Sequence, residues 1–160
     1  MKYRTNGAIG ALLDEYERAI SELKTTIKNL SPMALSAIVD LKTKDEDCRS
    51  IQKILSHVIA AGYSYVVHIR NSKGEQVTFP EYESYKNISS YENALDRMFK
   101  YNVQFFEDYS DINLDDYEAH RFTVRWGNIY DIEQLYEHAI VHVLRHRRQI
   151  ERFKLKLRAQ

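Results

Sequence analysis

Residues 9–32 read IGALLDEYERAISELKTTIKNLSP. Within them Ile9, Leu12, Leu13, Tyr16, Ile20, Leu23, Ile27 and Leu30 recur at steps of three and four, which is one apolar stripe on an amphipathic helix. Ser31-Pro32 stops that helix, because proline disfavours helical geometry in the residue before it. One stripe on a helix of this length needs helical partners, and the rest of the chain supplies them. After a connector at 33–44 with an apolar patch from Leu35 to Val39, the acidic stretch Asp45-Glu46-Asp47 suits the positive end of a helix dipole. The second helix is expected to begin there, to run through Ile51, Ile54, Leu55, Val58, Gly62, Tyr65 and Ile69, and to end near Asn71-Ser72-Lys73-Gly74.

Residues 75–88 are a loop with Phe79, Pro80, Tyr82 and Tyr85. Ser89 and Glu92 then have the spacing of a capping box, and a third helix carries Leu95, Met98, Phe99, Val103 and Phe106 to about Tyr109. The acidic connection 107–118 lacks the ligand spacing of an EF-hand and reads as a solvated loop. Phe122, Val124 and Trp126 alternate in extended fashion before Gly127, and a last helix spans about Tyr130 to Leu157. Four helices of roughly 20–28 residues joined by long connections predict one all-α domain over residues 1–160, a four-helix bundle.

Composition narrows the functional classes. The 160 residues carry 23 basic and 23 acidic side chains, so net charge favours neither nucleic acid nor an anionic membrane. The one cysteine, Cys48, rules out an internal disulfide and fits a cytoplasmic setting. No apolar run approaches the roughly 20 residues that span a bilayer. Five glycines and two prolines in the whole chain favour long helices over many turns.

The last helix contains EHAIVHVLRHRRQ at 137–149, with His138, His142 and His146 four residues apart. Two histidines at that spacing can share a metal ion, although the central Glu of the zinc-protease motif is missing. At 100° per residue the apolar residues of this helix cluster around one direction; His146 lies about 45° from it, His142 about 85° and His138 about 125°. His138 and His146 are also about 12 Å apart along the axis, too far to share one ion with bonds of about 2 Å. His142 and His146 are therefore the candidates, and His138 is expected to point outward. A third ligand has to come from another helix. His57 and His68 lie within about 20° of each other on the second helix, about 16 Å apart in height, and periodicity does not choose between them. His120 falls in the acidic connection.

The stretch Ser50-Ile51-Gln52-Lys53-Ile54-Leu55-Ser56-His57 resembles the second-helix motif of the DinB-like (YfiT/DinB) metal-binding bundles. Leu135 to Gln149, with His142 and His146 before basic residues and Gln149, resembles that family's last-helix motif, and Trp126-Gly127 resembles its approach to that helix. Position by position, the resemblance implies a three-histidine metal site of His57, His142 and His146, and so selects His57 over His68. One departure is Arg148, where the family often has glycine.

Three neutral imidazoles leave a divalent ion with open positions, the pattern of a catalytic site. Zinc or nickel suits nitrogen ligands best. The resemblance implies a thiol transferase or a hydrolase acting on a small molecule, a low-molecular-weight thiol among the candidates, and pairing as a homodimer. No Asp or Glu in the two motifs stands as a general base. Two other readings compete: a non-enzymatic, self-associating bundle rich in aromatics, and a weak nucleic-acid binder using the five Arg and two Lys between Arg145 and Arg158. Those basic residues also suit a helix C-terminus, and the acidic connection could pair with them.

Overall fold

A computed structural model describes residues 3–158. Five helices occur in chain order: α1 (Gly7–Ile27), the short α2 (Pro32–Ser36), α3 (Ile51–Ser72), α4 (Ile88–Asp108) and α5 (Ile132–Arg158). The four long ones form the expected bundle. Helix α1 lies against α4 and α5, and α3 lies against the same two, so the four axes surround one core. None of the helices is long and apolar enough to cross a membrane.

The stripe of α1 is buried as its spacing requires, with Leu12, Leu13, Tyr16, Ala19, Ile20, Leu23 and Ile27 inside and Ile9 and Leu30 partly covered. Tyr16, Tyr91, Phe105 and Tyr136 are the bulkiest side chains in the centre. Tyr16 packs edge-on against Phe99 at 5.9 Å and Tyr136 at 6.3 Å between ring centres, the arrangement aromatic quadrupoles prefer. Helices α3 and α4 approach closely at Gly62, where a β-carbon would stand 2.3 Å from Met98 Sδ. Asn102 Nδ2 crosses the same contact to donate to the Gly62 carbonyl at 3.2 Å.

Helix starts differ from the sequence expectation. The acidic stretch before α3 forms a separate one-turn 3₁₀ helix, Glu46–Cys48, and Ser50 caps α3 by accepting from Lys53 N–H at 3.2 Å. A backbone bond from Val39 N to Arg49 O at 2.9 Å ties the connector to this start. At α4 the cap is Asn87, accepting from Ser90 N–H at 2.8 Å, and Ser89 donates to Asn87 instead of capping. The side chain two positions earlier thus wins over the Ser89–Glu92 box. Part of the connector is helical, since Ser31 accepts from Ala34 N–H and Pro32 occupies the first turn of α2, where its missing N–H costs nothing.

The extended residues before α5 form a hairpin, β1 (Phe122–Thr123) with β2 (Ile129–Tyr130), in antiparallel register Phe122↔Tyr130. Gly127 turns it with φ +88°, a conformation open to glycine at little cost. Asp131 then starts α5 by a reciprocal pair: its carboxylate accepts from Gln134 N–H at 2.8 Å, and Gln134 Oε1 accepts from Asp131 N–H. The basic end of α5 pairs with α1, not with the acidic connection: Arg147 bonds Glu22, and Lys154 bonds the Thr26 carbonyl. Two of the connection's charges are paired, Asp108 with Arg70 of α3 and Glu118 with nearby Arg121, and the others are exposed.

Candidate metal centre

His57 stands in the second turn of α3, and His142 and His146 occupy successive turns of α5 where the two helices face each other. The three converge although 85 residues separate the first two. His57 Nε2 is 2.9 Å from His142 Nε2, which is 3.1 Å from His146 Nε2. One nitrogen from each lies within 4.8 Å of the others. Two nitrogens bound to one ion at about 2.0–2.1 Å stand about 2.9–3.4 Å apart for angles from right to tetrahedral, so both observed separations suit a shared ion. His142 and His146 are 7% and 6% exposed, while His57 is partly open to solvent.

Neighbouring residues settle which ring nitrogens face inward. Gln149 Oε1 is 3.0 Å from His146 Nδ1 and accepts from it, which places the proton on Nδ1 and turns the Nε2 lone pair toward His142. Asp47, in the one-turn helix before α3, sets a carboxylate oxygen 3.6 Å from His57 Nδ1, and its negative charge favours a proton there without a hydrogen bond. The donor set and its spacing are compatible with a divalent metal ion.

Burial holds the His142 and His146 rings neutral, as ligation requires. His142 is pushed down to about 2, first by burial and then by the His146 and His57 rings beside it. His146 is pushed down to about 4 by burial and by His57, against the opposing pull of Gln149.

The other histidines are placed as follows. His68, three turns beyond His57, is outside the trio. His138 is also outside, but it does not point to solvent as the helical angle predicted. Its ring stacks on His142 at 6.0 Å, its Nδ1 is 3.3 Å from the Tyr130 hydroxyl, and Trp126 stacks on its other side. The hairpin is the physical reason: it folds over the flank of α5 and covers a direction that an isolated helix would leave open. His120 is half-buried in the connection, away from the trio.

A cleft of about 390 Å³ opens beside the trio between α3, α5 and the hairpin loop, within the usual range for small-ligand sites. His57 and His142 are at one end, Ala60, Ala61 and Ser64 leave the α3 side low, and Tyr65 and Trp126 flank it. The sequence had signalled Trp126 and Gln149 through motif resemblance. Asp47, Tyr65 and Arg125 gave no signal, because their value lies in what they face across chain separations that no local period reports.

Helices packed around an inward trio of histidines define a class, a helical bundle with a possible metal site between two of its helices. A model of the DinB family matches residues 1–152 of this chain, and the chain belongs to the DinB family. No curated protein matches it.

Proposed function

We propose that His57, His142 and His146 bind one divalent metal ion, zinc or nickel, and that the protein is a metal-dependent enzyme of the thiol-transferase or hydrolase type. The observation that carries this reading is the convergence of three Nε2 atoms, two of them with their far nitrogens set against acceptors. An ion bound there supplies Lewis acidity that favours deprotonation of a thiol or a water in a position the protein leaves free. His146, held by Gln149, keeps its ring orientation fixed. Tyr65 and Trp126 exclude water from one flank of the cleft and give a small substrate an apolar surface. His57 is the most open of the three and faces the cleft, so substrate approaches from its side. A low-molecular-weight thiol suits this space, and the active species is proposed to be a homodimer.

Metal analysis of protein purified without a polyhistidine tag tests the reading. About one equivalent of zinc or nickel is expected per chain, falling close to zero in His142→Ala and remaining near one in His138→Ala. A wild-type protein that takes up no divalent ion, or equal losses in both variants, overturns it. Screening the loaded protein with thiols and electrophiles then separates transfer from hydrolysis.

A further inference from the structure

The end of the cleft away from the trio is a second polar locus. His68 and His57 are eleven residues apart on α3, about 16 Å along the axis, and both line the cleft. His68 is only 7% exposed, and its Nε2 is buried without any hydrogen-bond partner. A buried ring nitrogen left unpaired loses its hydration without compensation, so natural proteins seldom leave one idle. Beside it is Arg125 on the hairpin loop, whose charge acts on the His68 ring. Arg125 has no acidic side chain within 4.0 Å among the described residues.

Phe79 organises both groups. The Arg125 guanidinium lies over its ring at 4.4 Å, and the His68 ring meets it edge-on at 4.8 Å. Stacking occupies the flat face of a guanidinium and leaves its in-plane N–H donors free, in the fork that matches a carboxylate. No carboxylate side chain lines the cleft among the described residues, so Arg125 is its one fixed full charge. Between this cation and the trio the walls are Ala60, Ala61, Ser64, Tyr65, Trp126 and His138, small or aromatic and without a full charge.

We infer that Arg125 and His68 form an anion subsite, and that the ligand of this cleft is a small organic acid with a flat apolar body. Its carboxylate is held by Arg125 and by His68 as a neutral polar partner, its body lies against the Trp126 ring and the low wall of Ala60 and Ala61 on α3, and its far end points toward the histidine trio. This rests on the reading of the trio as the reacting end of the cleft and adds the substrate's charge and shape.

The test uses 3-phenylpropionate and its uncharged counterpart 3-phenylpropanol, titrated into metal-free protein, where a carboxylate has no ion to coordinate. Quenching of Trp126, the only tryptophan, and the ring proton resonances of His68 report on the cleft. The acid is expected to bind about tenfold more tightly than the alcohol, the scale of one charge-assisted hydrogen bond, and to shift the His68 resonances. Arg125→Met, a change at an exposed loop position, is expected to abolish the preference. The subsite is overturned if the acid does not bind saturably, if His68 does not respond, if the preference survives Arg125→Met, or if it appears only after zinc is added. Metal content, read separately, decides the trio: a chain that binds no metal yet keeps the preference loses the metal reading and retains this one.

Discussion

His146 and His57 both have their outward nitrogens set against an acceptor, but the two acceptors differ in strength. Gln149 is at 3.0 Å, a true hydrogen bond, whereas Asp47 is at 3.6 Å and half-exposed, acting through its field alone. Loss of an outer partner of a metal-bound histidine typically costs 10–100-fold in affinity. Gln149→Leu is therefore expected to weaken zinc binding by about 10–100-fold, and Asp47→Asn by much less. Competition with a chromogenic chelator measures both, and an equal loss would show that distance is not what ranks them. Burial of the same rings gives a pH dependence with a definite sign. Without an ion, burial pushes His142 down to about 2 and His146 down to about 4, below the ordinary histidine value of about 6.5. As pH falls through about 6.5 the unfolded chain binds protons at both positions and the folded one does not, so stability falls. The loss continues to about pH 4, where folded His146 begins to protonate, at up to about 1.4 kcal/mol per pH unit for each ring. Urea unfolding in EDTA at pH 7.0 and 5.5 should show this loss in the wild type and a smaller one in the His142→Ala/His146→Ala double variant.

At the scale of elements, the site depends on how closely α3 and α4 pack, because that contact fixes where α3 can face α5. Gly62 is a point of close approach, and the three nearest atoms a β-carbon would meet all belong to Met98. Met98 is fully buried and its sulfur is engaged by the Tyr16 hydroxyl at 3.6 Å, so it has little room to swing aside. Overpacking of this kind costs about 1–3 kcal/mol, while alanine is a better helix former than glycine by about 1 kcal/mol. The packing cost is the larger. Gly62→Ala is expected to lower the midpoint of thermal unfolding, and Met98→Ala in the same chain should restore part of the loss by making room. A stabilised Gly62→Ala variant would mean that α4 yields more easily than its burial implies.

Across the surface, the two most exposed large apolar side chains of the described residues lie in the first connector. Met33 and Leu41 are each 81% exposed and Ile38 is half-exposed, a cluster on one segment between α1 and α3. The proposed homodimer has a surface there to cover, and symmetric pairing through one face is the simplest closed arrangement. A stable contact removes at least about 1,000 Å² of total surface from water. Sedimentation at micromolar concentration is expected to give twice the 18.9 kDa chain mass, with Met33→Lys/Leu41→Lys shifting it toward the single chain. A single-chain mass at all concentrations would refute the pairing and leave the metal reading untouched, since the trio comes from one chain.

The residue pattern alone specifies the four long helices, which face of each is buried, and His142 and His146 rather than His138 as the pair that a third histidine joins. These follow from the 3.6-residue period, which ties side-chain direction to chain position within one helix. Its reach ends at the helix surface. Whether His57 or His68 met the pair stayed open on periodicity, because the two share a face and differ only in height, and resemblance alone chose between them. Tertiary structure decided the matter physically: the capped start of α3 sets His57 level with His142, and His68 three turns away at the far end of the cleft. It also decided the surroundings of His138, since a hairpin closing over the flank of α5 depends on the turn at Gly127 and on the packing of Trp126. Asp47, Phe79 and Arg125 belong to the same category. Their partners lie on other elements, and only the packed chain brings a carboxylate to His57, an aromatic face to Arg125 and a cation to the far end of the cleft.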